Sequence, residues 1–241
     1  MEFKLPTETV TLPSKGLFYS KDNPLSSGEV EIKYMTAKEE DILTNANYIQ
    51  DGTVLDKLMK SLIVSKINYN DLLIGDKNAI MIASRILGYG KDYKFTYQGE
   101  EHTVDLSTLE NKEIDDNIFT SGENLFNFTL PTTNVDITFK LLTHGDEAKI
   151  SQEIKSLKKI NSKVTADLTT RLKYIIQSVD GSNEPKDIRQ FIDNYLLAQD
   201  ARALRNYINE IQPDVDLTFF HERTEKRSTI PIGLNFFWPD I

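Results

Sequence analysis

Three carboxylates stand in a row at Glu39, Glu40 and Asp41. Acids clustered in this way can hold a divalent cation or work as an acid–base pair. Their flanks argue for something else. In Tyr34-Met35-Thr36-Ala37-Lys38-Glu39-Glu40-Asp41-Ile42-Leu43, Thr36 and Glu39 have the spacing of a capping box, in which a hydroxyl and a carboxylate three residues on cap each other's backbone amides. All three acids then fall in the first helical turn, where the helix dipole favours negative charge. The block reads as a strand running into a helix. The other candidates are the histidines. His102, His144 and His221 each stand beside a predicted turn. His102 and His221 belong to two hairpins of similar layout, with Glu100, Glu101 and Glu222 as the nearby carboxylates. Polar residues at turn tips are the preferred reading, and a metal-assisted hydrolase built on His102 and His221 is the least favoured functional one. The chain has no His-Glu-x-x-His helix, phosphate loop, nucleophile elbow or dinucleotide fingerprint, each of which needs its residues at fixed spacing. Gly88-Tyr89-Gly90 follows a helix, whereas phosphate loops follow strands. With no cysteine, disulfides, thiolate metal sites and a cysteine nucleophile are excluded. No catalytic residue, cofactor or metal is assigned from the residues.

Charge narrows the partners. The 241 residues carry 28 basic and 37 acidic side chains, a net charge of −9. Phosphate backbones need clustered Lys and Arg, and the densest basic spots, Lys158-Lys159 and Arg223…Lys226-Arg227, are short. No nucleic acid is expected. Apolar runs such as Ala79-Ile80-Met81-Ile82-Ala83 fall far short of the roughly 20 residues that cross a bilayer, and Met1-Glu2-Phe3-Lys4-Leu5-Pro6 lacks the apolar centre of a signal peptide. The expectation is synthesis in a cytoplasm with no membrane insertion.

These residues must be positioned by an α+β chain. Residues 1–35 read as a β arm, with turns at Pro13-Ser14-Lys15-Gly16 and Asn23-Pro24 and a strand at Glu29–Tyr34. Three helices are predicted next. The first runs from the Thr36 cap to about Asn45. The second follows Thr53 and carries Val54, Leu55, Leu58, Met59, Leu62 and Ile63 on one face. The third is capped by Asp76 and stops at Gly88, with Arg85 exposed or near its end. Residues 93–106 form a hairpin turning at Gln98–Glu101. An acidic linker covers 107–124, and a second hairpin turns at Pro131–Asn134. Helices are predicted from Asp146 or Gly145 to Lys159, from Thr165 to Val179, from Pro185 and from Asp200. Residues 215–232 close the chain as a third hairpin, with its charged turn at His221–Ser228. The first and third hairpins are expected side by side as a small β module. This gives a helical core with an N-terminal β arm, a β-hairpin insertion and the β module. The parts are 1–92, 125–213, and 93–110 together with 214–241. Two aromatic segments remain, Leu17-Phe18-Tyr19 and Phe236-Phe237-Trp238. Aromatic clusters anchor protein–protein contacts or close a chain's own core, and both readings stand.

Several blocks in order then resemble a known family. They are Leu12-Pro13-Ser14-Lys15-Gly16-Leu17-Phe18-Tyr19, the Tyr34-to-Leu43 block, Gly75-Asp76-Lys77-Asn78-Ala79 and Arg85-Ile86-Leu87-Gly88-Tyr89-Gly90. After them come Thr138–Thr143, Thr170-Arg171-Leu172, Ser178-Val179-Asp180-Gly181 and Phe236-Phe237-Trp238-Pro239. Together they resemble the baseplate hub subunit family of T4-like contractile-tailed bacteriophages over nearly the whole chain. The resemblance implies a non-enzymatic hub component, or a factor that assembles the hub and is absent from the virion. It implies other baseplate or tail proteins as partners, for which the two aromatic segments offer Leu17, Phe18, Tyr19, Phe236, Phe237 and Trp238 as candidate contact residues. It places the chain in the host cytoplasm during assembly, and in the tail baseplate if it is a structural subunit. Some relatives carry cysteine pairs in the first and third hairpins, making a zinc-ribbon-like module. Here Tyr97-Gln98-Gly99-Glu100 and Phe220-His221-Glu222-Arg223 hold none, so packing of Phe95, Tyr97, Phe219 and Phe220 is expected to replace the metal.

Overall fold

The computed structural model describes residues 5–120, 122–160 and 166–237. The chain begins with β1 (Thr7–Thr11) paired antiparallel to β2 (Glu29–Lys33), Val10 opposite Val30. Between them the chain turns at Lys15 and Gly16, both at positive φ. A Cβ on Gly16 would lie 2.4 Å from the Ser26 carbonyl oxygen, so only glycine lets the two loops touch. Helices α1 (Ala37–Leu43), α2 (Ala46–Asp51) and α3 (Val54–Leu62) follow. The first and third are as expected, and α3 buries Val54, Leu58, Met59 and Leu62. Helix α2 was not anticipated. Its side chains are exposed or half-buried, so no apolar stripe announces it, and it is held by the Asn45 cap and the left-handed Gly52.

Helix α4 (Ile74–Tyr89) runs a turn longer at its start than the sequence suggested. Asp76 is not its cap: Leu73 is, and Asp76 is buried inside the first turn. Gly88 does not end it either. The helix passes through Gly88 and stops at Gly90, whose φ of 84° few other residues adopt. Strands β3 (Asp92–Tyr97) and β4 (Glu100–Asp105) form the first hairpin, with Gln98 and Gly99 at positive φ in its two-residue turn.

Residues 107–124 are not a free linker. Asn111 bridges to Val215, the Asp216 amide donates to the Glu110 carbonyl at 2.7 Å, and the Gly122 amide donates to the Leu17 carbonyl at 2.7 Å. Strands β5 (Phe126–Thr129) and β6 (Asp136–Phe139) make the second hairpin. Helix α5 spans His144–Ile160, α6 spans Asp167–Ile175, and β7 (Ile176–Val179) adds a third strand beside β6. The single helix expected to Val179 is therefore a helix and a strand. Its stripe of Ile175, Ile176 and Val179 has helical spacing, but the helix ends at Ile175 and the free edge of β6 recruits the β-branched Ile176 and Val179. Helix α7 (Pro185–Asn194) starts on Pro185 as expected. Helix α8 (Ala198–Ile211) starts after Leu197, so Asp200 is not its cap. The chain closes with β8 (Thr218–His221) and β9 (Lys226–Thr229), whose turn is tighter than the expected His221–Ser228.

The structure is thus mixed α and β, with eight α-helices and several small antiparallel sheets among the described residues. One continuous apolar cluster runs from Val10 to Phe237. Among the described residues no helix is long and apolar enough to cross a membrane.

Candidate functional site

Each of the buried carboxylates has a structural occupation. Glu39 is fully buried. It accepts from the Thr36 amide at 3.0 Å and hydroxyl at 2.6 Å, from Lys33 Nζ at 2.8 Å and from Ser61 Oγ at 2.7 Å. Burial alone would raise its pKa, but the bonds from Lys33, Thr36 and Ser61 outweigh that and hold it at about 2. Neighbouring Glu40 and Asp41 face solvent. Asp76 accepts from the Ser14 amide at 3.0 Å, the Ser14 hydroxyl at 2.7 Å and the Tyr19 hydroxyl at 2.5 Å. Burial raises its pKa despite those bonds, and burial beside Asp76 raises that of Tyr19. Asp200 accepts from the Thr132 and Thr133 amides at 2.8 and 3.2 Å, tying α8 to the β5–β6 turn.

His144 belongs to a closed ring. Lys77 donates to Asp56 at 2.8 Å and to His144 Nδ1 at 3.2 Å. An ammonium only donates, so Nδ1 accepts and the imidazole proton sits on Nε2, 3.5 Å from Asp56. Tyr69 adds a bond to Asp56 at 3.2 Å. Burial, then Lys77, lowers the His144 pKa. A general base must aim a free lone pair at a substrate. Here Nδ1 is occupied by Lys77, and the ring of contacts braces α3, α4 and α5.

His102 and His221 do meet. The two hairpins interlock through Phe95, Tyr97 and Phe219, with the Phe95–Phe219 ring centroids 5.0 Å apart, and the His102 and His221 centroids 5.1 Å apart. The Tyr93 hydroxyl donates to the Pro231 carbonyl at 2.9 Å. Phe220 is not part of the interlock: it is 60% exposed, because neighbours along a strand point to opposite faces. Glu100, His102 and His221 offer ligand atoms all within 4.8 Å of one another, the one such group among the described residues. Nε2 of both histidines is buried without a hydrogen-bond partner.

This donor set does not fit a zinc as it stands. The Thr224 amide donates to His221 Nδ1 at 3.2 Å, which leaves the ring proton on Nε2, the atom that would face the metal. Zinc-bound histidine has the reverse arrangement, with the second nitrogen donating outward. Glu100 is also engaged, since Arg223 approaches its other oxygen at 3.2 Å. Structural zinc sites hold four protein ligands, and three converge here.

The six side chains expected at a partner interface lie mostly inside the chain. Phe18, Tyr19, Phe236 and Phe237 are buried, and Leu17 is half-buried against the same cluster. Phe18 packs on Phe119 and Phe126, at centroid distances of 4.6 and 5.9 Å. They close the chain's own core, the other of the two readings. Trp238 lies outside the described residues. Arg85, expected exposed or near the end of its helix, stands four residues before the end of α4 and is buried. It donates to the carbonyls of Phe236 at 2.7 Å and Gly90 at 2.8 Å, because the turn after α4 wraps backbone oxygens around the guanidinium. Sequence reasoning missed Asp76, Arg85 and Asp200 as fasteners, since their partners stand 62, 151 and 68 residues away.

No family model, no curated protein and no solved structure matches the chain.

Proposed function

We propose that this chain is a structural subunit of a contractile-tail baseplate hub, acting through protein–protein contact with no chemistry of its own. One observation carries the reading. Several of the sequence blocks that resemble the hub family take part in fastening this fold across long separations. Ser14 and Tyr19 of the first block hold Asp76 of the third. Arg85 holds the carbonyl of Phe236 in the last. The Thr36–Glu39 box of the second is pinned to α3 by Ser61. A resemblance built on fasteners supports a shared fold more than blocks scattered over the surface would. The buried charges support a non-catalytic role, because Glu39, Asp76, Asp200 and the Asp56–Lys77–His144 ring are saturated by internal partners.

Mass spectrometry of purified virions tests this. A stoichiometric signal for the chain supports the structural subunit. Presence in complexes with hub proteins from infected cells, with absence from virions, would favour an assembly chaperone instead. Absence from both would refute any tail role.

A further inference from the structure

Although the chain is acidic overall, one groove is basic. Arg171 of α6 and Arg202 and Arg205 of α8 line an open groove of about 420 Å³. Four basic and one acidic side chain face it: Lys140, Arg171, Arg202, Arg205 and Glu147. Two of these charges are neutralised internally, Lys140 by Asp146 at 2.8 Å and Arg171 by Glu147. The other two are available. Arg202 has no hydrogen bond or ion pair among the described residues, and Arg205 donates only its Nε, to the Ala201 carbonyl at 3.2 Å. Both are exposed and stand three residues apart, so they project from neighbouring turns of α8. The floor is apolar, with Ile175 and Ile208 buried beneath the arginines. Asn206 and Asn209 complete the α8 wall with side-chain amides.

We propose that this groove docks an acidic segment of a partner protein, with carboxylates flanking an apolar residue. Each guanidinium fork matches a carboxylate in bidentate geometry. The isoleucine floor takes the apolar side chain between them, and the Asn amides pair with the backbone of an extended strand. Nucleic acid fits less well. No aromatic side chain lines the groove to stack a base, and a long polyanion meets the repulsion of the whole acidic chain, whereas a short acidic segment meets only the local field. The inference deepens the protein-contact reading above and rests on it.

The full chain is titrated by fluorescence anisotropy with a labelled peptide of repeated Asp-Leu-Glu, its Asn-Leu-Gln counterpart and an oligothymidine. The acidic peptide binds, and the neutral one binds at least about tenfold more weakly. Arg202→Glu with Arg205→Glu weakens the acidic peptide by about a hundredfold, on the order of tenfold per arginine. Because both side chains are exposed, this variant keeps the parent melting temperature. Acidic-peptide binding that survives the double reversal, or equal binding of the neutral peptide, overturns the proposal. So does tighter binding of the oligothymidine. Sedimentation covers one more occupant: self-association of the parent that the double variant abolishes would assign the groove to a second copy and overturn it too. Failure here and failure of the hub reading are separable. A chain found in virions that ignores the peptide refutes the groove alone, and a chain that binds the peptide but is missing from virions and hub complexes refutes the hub.

Discussion

Glu39 carries four hydrogen bonds on a carboxylate that water does not reach. Its pKa falls from 4.5 to about 2 on folding. A carboxyl depressed in the native state stabilises it above the unfolded pKa and loses that contribution as pH falls through the folded one. The window is therefore pH 4.5 down to 2, and the shift corresponds to about 3 kcal/mol. Glu39→Gln is expected to cost about 2–3 kcal/mol at neutral pH, since it removes the charge-assisted bond from Lys33 and leaves a buried donor without an acceptor. Urea midpoints measured across that window should fall steeply for the parent and much less for the variant. Parallel curves would show that Glu39 is not the group responsible. Thr36→Ala is milder, about 0.5–2 kcal/mol, because it removes the hydroxyl that donates to Glu39 at 2.6 Å. The Thr36–Glu39 half of this site was legible in the sequence because caps are local. Lys33 and Ser61 were not, since their bonds to Glu39 come from β2 and α3. Arg85 was misread for the same reason: a lone arginine in a helical stripe looks solvated until the distant carbonyls that surround it are known.

At the scale of elements, helix α4 is set by one close approach. A Cβ on Gly75 would stand 1.9 Å from the Pro213 carbonyl oxygen and 2.7 Å from Asp214 Cα. Both are backbone atoms, and Asp214 is fixed by Asn78 Nδ2 at 3.0 Å. Gly75→Ala should therefore destabilise by about 1–3 kcal/mol through overpacking, against the roughly 1 kcal/mol by which alanine favours a helix over glycine. Gly88→Ala is the control. Its Cβ would meet the Met35 side-chain end at 2.8 Å, and a flexible thioether can move aside, so the helical gain decides and stability is unchanged or higher. Thermal melts of both variants check this, and equal effects would mean that the Pro213 contact does not set the helix position. Helices with a strong apolar stripe, such as α3 and α8, were legible from spacing. Strand β7 was not, because helical spacing and a buried β-branched run look alike until an open sheet edge is known to be there.

Across the whole molecule, the two hairpins lie side by side and interlock through aromatic packing. Phe95, Tyr97, Phe219 and the paired imidazoles fill the space between them. The hairpins themselves were legible from alternation and turn residues. Their mutual packing was expected from their similar layout, but the pairing of Phe220 was not correct, since strand parity turns it outward. If the clasp is apolar and aromatic, the melting temperature should be the same in excess EDTA, in added zinc and in neither. A rise of several degrees with zinc would mean that His221 releases Thr224 to ligate metal. The bond from Arg85 to the Phe236 carbonyl spans 151 residues, and Phe236 and Phe237 lie fully inside the cluster that begins at Val10. Whatever forms early on the ribosome, the core stays open until residue 237 has been made, and until then Arg85 has its acceptor at Gly90 but lacks the one at Phe236. Contacts so far apart in sequence favour slow closure, leaving the half-made chain exposed to its neighbours in a crowded cell.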